Sequence, residues 1–244
     1  MRRFYIPGEK VVVGKCYLLP IDETYHLKKV LRMKIGDSLE VFDDYGNVFK
    51  AIIKKFDNDE ANIKVEKAIT NRKNDGRKLI IAYALPKGKK TDLVIQKTTE
   101  LGVNEIFLFV SDKSVVTLDE QKKQDRLKRW QKIIVESAKQ CHRQTIPGVY
   151  WKKNIQDVLE SFSKNMIVFI ADKNGSRLSD LKKLEKNKKD ILIIIGPEAG
   201  FSRKENEIID CYDPIYLSLG ENILRTETAA IAAIAILKCF LDKK

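Results

Sequence analysis

Ile191-Leu192-Ile193-Ile194-Ile195-Gly196-Pro197-Glu198-Ala199-Gly200-Phe201 and Ile215-Tyr216-Leu217-Ser218-Leu219-Gly220-Glu221-Asn222-Ile223-Leu224-Arg225-Thr226-Glu227-Thr228 are the two stretches on which the fold turns. Each starts as a short apolar run, passes through a loop carrying glycine and enters a helical pattern. Short apolar runs of this kind read as strands buried on both faces. Strand, loop and helix in that order imply parallel strands, so both loops open at the carboxyl edge of a sheet, where α/β proteins bind ligands.

The chain upstream repeats the pattern. Residues 79–85, 105–110 and 166–171 read as strands; 91–102, 119–144 and 155–162 read as helices, with Gly102 a C-cap. A short lysine-rich helix is expected from Ser179, and Ser202 with Glu205 forms a capping box that opens a helix to Cys211. Strands at 191–195 and 215–219 and a closing helix at 226–241 complete the set. The expected fold is α/β, a mostly parallel sheet covered on both faces.

Residues 1–70 read differently. Strand signals at 11–13, 38–42, 48–53 and 61–65 alternate with the turns Gly36-Asp37 and Asp43-Asp44-Tyr45-Gly46-Asn47, which predicts a small β-barrel domain. One helix is expected at 24–33, where His26 pairs with Val30 and Leu27 with Leu31, leaving Lys28, Lys29 and Arg32 on the remaining surface. Those cations either meet phosphates or make an ordinary solvated face. The polar residues 71–78 form a linker, and 79–244 is the second domain.

With 244 residues and 43% hydrophobic content, the chain can hold one large or two modest domains. Lys and Arg number 46 against 34 Asp and Glu, a net +12 spread along the chain. Such an excess attracts a polyanion, most commonly nucleic acid; a lysine-rich but merely well-solvated surface is the alternative. The cysteines Cys16, Cys141, Cys211 and Cys239 form no CxxC pair and read as buried thiols in a reducing compartment. His26 and His142 are the only histidines, so no metal centre is expected. The longest apolar run, 229–237, is too short to cross a bilayer, and a soluble cytoplasmic protein without a membrane partner is expected.

The common phosphate fingerprints fail. After the first strand of the second domain stands Pro86-Lys87-Gly88-Lys89-Lys90-Thr91, not GxGxxG, and a P-loop would need glycine at Tyr83 and Ser or Thr at Lys90. Gly196, Gly200 and Gly220 permit positive φ or close backbone approach, so freed backbone groups of the two loops could read an adenine edge and a ribose. In Arg225-Thr226-Glu227-Thr228 a helix cap needs only one hydroxyl. Arg225 and Glu227 are then either a local salt bridge or part of a working site.

The two loops resemble the cofactor-binding segments of the SPOUT methyltransferases and, more narrowly, of the RsmE family of bacterial 16S ribosomal RNA uridine N3-methyltransferases. Further matching pieces are His26 with Val30-Leu31-Arg32, Ala84-Leu85-Pro86-Lys87-Gly88, residues 96–103, Arg129-Trp130, Ala138-Lys139-Gln140 and Arg143, so the likeness spans nearly the whole chain. Ala199 departs from it, standing where the family usually has a second glycine; a positive φ there would cost about 1 kcal/mol.

The resemblance implies an N-terminal PUA-like barrel that grips RNA, a SPOUT domain with a C-terminal trefoil knot, and an active site completed in a homodimer. S-adenosyl-L-methionine (SAM) would be held by Leu85, Gly196, Pro197, Glu198, Gly200, Leu217, Leu219, Gly220, Ile223, Leu224, Thr226, Thr228 and Ala229. Arg225 would stabilise charge on the uracil carbonyls, and Glu227 or Glu198 would accept the proton. Arg2, Arg3, Lys28, Arg32, Lys87, Lys89, Gln140 and Arg143 would bind the 16S rRNA of the small ribosomal subunit. A SPOUT enzyme acting on another base or on a ribose 2′-hydroxyl, and a non-catalytic ribosome-assembly factor, are the competing readings.

Overall fold

The computed structural model describes residues 2–57, 60–71, 76–86, 88, 90–114, 119–162, 165–177 and 188–241. Lys87, Lys89, residues 72–75 of the expected linker and the expected lysine-rich helix from Ser179 lie outside the described residues. The chain divides into two compact units, Met1–Asp75 with Ala138–Ile146, and Gly76–Ser137 with Pro147–Lys244.

The first unit contains β1 (Arg3–Tyr5), β2 (Cys16–Leu19), α1 (Ile21–Tyr25), β3 (Ser38–Phe42), β4 (Asn47–Asp57) and β5 (Glu60–Asn71). The strands are ordered β1-β3-β4-β5-β2, with β1 parallel to β3 and the other pairs antiparallel. Three register shifts interrupt the β4–β5 ladder. Bulges of that kind bend a strand pair, and the bent sheet wraps Phe4, Leu19, Leu27, Leu39, Val41, Ile53 and Ile63 into one core. The opposite face, with Phe42 and Val48, is covered by Ala138 and Ile146.

Two expectations change here. Val11, Val12 and Val13 form no strand; Gly8 and Gly14 turn the chain at positive φ on either side, and the Val12 amide donates to the Tyr17 hydroxyl at 2.7 Å instead of to a ladder. The helix expected at 24–33 is α1 followed by a π-helical turn, His26–Val30, which stops where Arg32 adopts φ 52°. Leu27 and Leu31 do face the core, whereas Val30 is exposed.

The second unit contains β6 (Leu79–Ala84), α2 (Lys90–Glu100), β7 (Glu105–Phe109), α3 (Glu120–Gln140, its last turn counted with the first unit), β8 (Gly148–Lys152) and α4 (Ile155–Leu159). It continues with β9 (Met166–Ser176), β10 (Asp190–Ile195), α5 (Arg203–Asp210), β11 (Ile215–Leu217) and α6 (Thr226–Leu241). All six strands are parallel, in the order β11-β9-β10-β6-β7-β8. β8 is an addition to the expected set. Its Gly-Val-Tyr-Trp-Lys pattern is half-exposed along its length, because it is an edge strand and shows no buried run.

Alternate residues of the central strands serve opposite faces. Ile80, Ala82, Ala84, Leu192 and Ile194 pack with α4 and α5 through Val158, Leu159 and Ile209. On the other face α6 packs on β6, β10 and α2, and the hydroxyls of Tyr83 and Thr226 lie 3.2 Å apart. α2 ends as expected: Gly102 turns at φ 94°, and the Val103 amide reaches back to the Thr98 carbonyl at 3.1 Å. α3 joins α2 through Asp92, which accepts from Arg129 and from the Trp130 indole at 3.1 Å.

The cysteines are unpaired, but three of the four, Cys16, Cys211 and Cys239, are exposed and not buried as expected; Cys16, for one, points outward from edge strand β2. One ion pair in the first unit is buried. Lys139 donates to both carboxylate oxygens of Glu23 at 2.9 Å, with side chains 7% and 11% exposed. Removing one member of such a pair strands the other charge, so Lys139→Ala should lower unfolding free energy by about 3 kcal/mol in urea titration. The double change Lys139→Met with Glu23→Leu should recover most of that loss.

Candidate active site

β6 and β10 are hydrogen-bonded neighbours in register, Leu79 with Ile191 through Tyr83 with Ile195, so their carboxyl ends are level. From those ends the chain leaves in opposite directions, to α2 on one face and to α5 on the other. Adjacent parallel strands that send their chains to opposite faces mark a switch point, the place where α/β sheets bind ligands. The segment after β11 also comes here, because β11 lies beyond β9 while α6 packs back on β6 and β10.

The loop after β10 is shaped by its glycines. A Cβ on Gly196 would lie 2.9 Å from the Phe201 ring, so only glycine lets that ring fold back against the strand end. Gly200 has φ +68°, and its amide closes a tight turn on the Pro197 carbonyl at 2.9 Å. Ala199 occupies the third place of that turn and is not among the positive-φ residues. Alanine is therefore accommodated without backbone strain.

Side chains fasten the same loop. Glu205, 3% exposed, accepts from the Ser202 amide at 2.8 Å, the Ser111 hydroxyl at 3.0 Å and the Asp112 amide at 3.1 Å. Ser202 accepts from the Glu205 amide at 3.1 Å and donates to Asp112 at 2.6 Å, while Lys113 donates to the Ala199 carbonyl at 3.1 Å. The expected capping box is present, and its glutamate also ties the loop after β7 to the loop after β10.

Lys90, at the start of α2, joins the charged groups. Its ammonium lies 2.9 Å from Glu198 and 3.4 Å from Glu227, whose side chains are 63% and 14% exposed. Thr226 is buried, 3.4 Å from Glu227 and in contact with the Tyr83 hydroxyl. The Glu227 carboxyl is held below its ordinary value by its own backbone amide first, then by the charges of Lys90 and Arg225. The Lys90 ammonium is raised, chiefly by its hydrogen bond to Glu198. Burial pushes the Tyr83 phenol up to about 12, with Glu227 and Glu198 adding to the effect.

The residues expected to hold a cofactor fall on three segments at this edge. Leu85, Leu217 and Thr226 are buried; Gly196, Pro197, Leu219, Leu224 and Ala229 are half-buried; Glu198, Gly200, Gly220, Ile223, Arg225 and Thr228 are exposed. Gly220 turns at φ +129°. Lys90 and Tyr83 were missed. The sequence shows Lys90 only as one of the cations after this strand that could meet phosphate and Tyr83 only as a residue that breaks a P-loop; what marks them is a contact across segments.

The described RNA candidates all belong to the first unit. Arg2 is exposed and donates to the Leu31 carbonyl at 2.6 Å, next to Arg32, which is also exposed. The Lys28 ammonium sits 4.7 Å from the Phe56 ring centre, Gln140 is exposed, and Arg143 donates to the Thr145 carbonyl at 2.9 Å. Burial lowers the Arg143 guanidinium to about 10. Arg3 is a correction. It is 7% exposed, its guanidinium lies 4.6 Å from the Phe42 ring centre, and burial lowers its pKa, so it is a core cation and not a phosphate-gripping one.

Among the described residues no group of three or more His, Cys, Asp or Glu is placed to hold a metal, and no helix is long and apolar enough to cross a membrane. Residues 73–238 match the RNA methyltransferase domain family, and residues 20–66 match the RNA methyltransferase PUA domain. The two matches define the class: an RNA methyltransferase that joins a PUA domain to a parallel-sheet domain.

Full-length relatives narrow it. The chain is 32% identical to ribosomal RNA small subunit methyltransferase E of Buchnera aphidicola, over 97% of this chain and 92% of that one. It is 30% identical to the Bacillus subtilis protein of the same name, over 96% and 95%. The crystal structure of the Neisseria gonorrhoeae protein of that name, bound to S-adenosyl methionine, superposes with a TM-score of 0.85 at 28% identity, covering 98% of this chain and 97% of that one. The chain belongs to the ribosomal RNA small subunit methyltransferase E family.

The turn geometry gives a test. Ala199→Gly relieves no strain and should leave the midpoint of urea unfolding unchanged or slightly lower, whereas Gly200→Ala should cost about 1 kcal/mol.

Proposed function

We propose that this protein transfers a methyl group from SAM to N3 of a uridine in the 16S rRNA of the small ribosomal subunit. The observation that carries the reading is the level carboxyl ends of β6 and β10, from one of which the glycine loop 196–200 departs, in a chain of this family. SAM fits that edge on chemical grounds. Gly200 and Gly220 turn their loops at positive φ and leave residues 198–200 and 220–223 exposed, so that main chain there can meet an adenine edge and a ribose. Leu219 and Leu224 supply apolar surface, backed by the buried Leu85 and Leu217, with Pro197, Ile223, Thr226, Thr228 and Ala229 completing the set. When bound, SAM supplies a methyl group made electrophilic by its sulfonium.

The protein's own part is to orient the uracil and stabilise charge. As the N3 proton leaves, negative charge spreads onto the carbonyl oxygens, and a fixed cation there lowers the barrier. Arg225, exposed at the mouth of α6, is assigned that role. Glu227 and Glu198 flank it as candidate proton acceptors. Arg2, Lys28, Arg32, Gln140 and Arg143 are assigned to RNA, with Lys87 and Lys89 added from sequence.

The same reading has the closing helix threaded through a trefoil knot. Its support is the resemblance together with the strand order, in which β11 lies outside β9 while α6 returns to β6 and β10. It also has the site completed in a homodimer, in keeping with the exposed apolar Leu93 on α2 and Ile236 on α6. Ribosomal subunits are its partner and the cytoplasm its place of work.

Incubation with labelled SAM and small subunits lacking the modification, followed by nucleoside mass analysis, tests the assignment. N3-methyluridine is expected; a 2′-O-methylated nucleoside or a different base would overturn it. Arg225→Ala should lower single-turnover methylation about a hundredfold while SAM affinity stays within a few-fold. Arg32→Ala should weaken RNA binding and reduce the slope of log K against log salt by about one, as for loss of one phosphate contact.

A further inference from the structure

Lys90 opens the helix that follows β6, Glu198 lies in the loop after the neighbouring β10, and Glu227 comes from a helix that reaches the site from beyond β9. One ammonium therefore joins three separate chain segments through contacts of 2.9 and 3.4 Å. Neither carboxylate has another ion pair within range among the described residues. Of the two, Glu227 is the enclosed one, at 14% exposed, and it rests on Thr226, which the buried Tyr83 hydroxyl holds in turn.

Resting on the function proposed above, we propose that Lys90 is a positioning residue: it fixes Glu227 as an ionised carboxylate beside the switch point, and Glu227 takes up the uracil N3 proton. In that step the N3–H bond breaks and its proton passes to a Glu227 oxygen. The electron pair left on N3 forms the N3–C bond, while the methyl–sulfur bond breaks with its pair remaining on sulfur. Glu198, 63% exposed, is the outer carboxylate and holds Lys90 from the solvent side. Its separation from the enclosed partner gives the two glutamates different tasks, one as acceptor and one as anchor.

The groups facing Glu227 are few. α2 contributes Lys90, β6 contributes Tyr83, the loop after β10 contributes Glu198 by way of Lys90, and Arg225 precedes it in the chain. The Glu227 backbone amide first, then Lys90 and Arg225, favour the ionised form; partial burial opposes it. Without Lys90 the ionised form loses one of its stabilising contacts, and the carboxylate loses the group that holds it in place. The direction follows: a carboxylate held low is ionised at all pH above its folded-state pKa, and losing the cation moves that midpoint upward.

Two readouts test the assignment. The first needs neither SAM nor RNA: carboxyl-carbon NMR of the full chain, labelled in glutamate, should show the Glu227 midpoint rising by about one pH unit in Lys90→Met and returning towards wild type in Lys90→Arg. The second is the pH dependence of single-turnover methylation, whose acid limb should rise by the same amount in Lys90→Met. Glu227→Gln should abolish the limb and slow turnover by at least about a hundredfold.

An unshifted Glu227 midpoint in a folded Lys90→Met protein overturns the positioning role, as does an unshifted acid limb. A Glu227→Gln protein that keeps the wild-type rate overturns the acceptor role. If wild-type protein forms no N3-methyluridine, the reading of function fails instead and the acceptor role with it, while the NMR titration still decides whether Lys90 governs Glu227.

Discussion

Parallel hydrogen bonding between β6 and β10, level from Leu79 and Ile191 to Tyr83 and Ile195, is the constraint from which the rest of the second unit follows. It brings two strands distant in sequence to a common edge, and each then sends its helix to a different face. The two segments diverge from that line, which makes it the switch point of the sheet. Had β10 been placed beyond β9, the loops after β6 and β10 would stand two strands apart, and Lys90 could not reach Glu198.

The loops at the switch point are held more firmly than their glycines suggest. Glu205 draws the Ser202 amide, the Ser111 hydroxyl and the Asp112 amide onto one buried carboxylate, so the loop after β10 is fixed from the side opposite Lys90. Buried carboxylates are tolerated when such donors satisfy them. A short, well-anchored loop can present backbone groups to a ligand without losing much entropy on binding. Ala199 illustrates the economy of the turn: its place tolerates a side chain, while the positive φ falls on Gly200, one residue later.

The first unit uses charge in two ways. Arg2 and Arg32 are exposed, free to be screened by water or by phosphates. Arg3, one residue from Arg2, lies on the Phe42 ring, on the face of the sheet that Ala138 and Ile146 cover, because successive residues of a strand point to opposite sides and Phe4 takes the core. Naming both Arg2 and Arg3 for RNA takes no account of that alternation. Lys139 and Glu23 likewise spend their charges on each other inside the unit, where the low dielectric makes the pair costly to break.

From sequence alone came most of what depends on neighbours along the chain. The apolar runs at 191–195 and 79–85 announced buried parallel strands, Gly102 ended a helix, Ser202 and Glu205 opened one, and the last loop carried a family likeness. Local propensity and short-range hydrogen bonds decide such features, and both are written in consecutive residues. Edge strand β8 escaped notice because a half-exposed strand shows neither a clean alternation nor an apolar run. Lys90, Tyr83 and the buried Arg3 were beyond reach for another reason. Their roles rest on which strands lie side by side and which face each one turns inward, and strand order is settled by packing across the whole sheet.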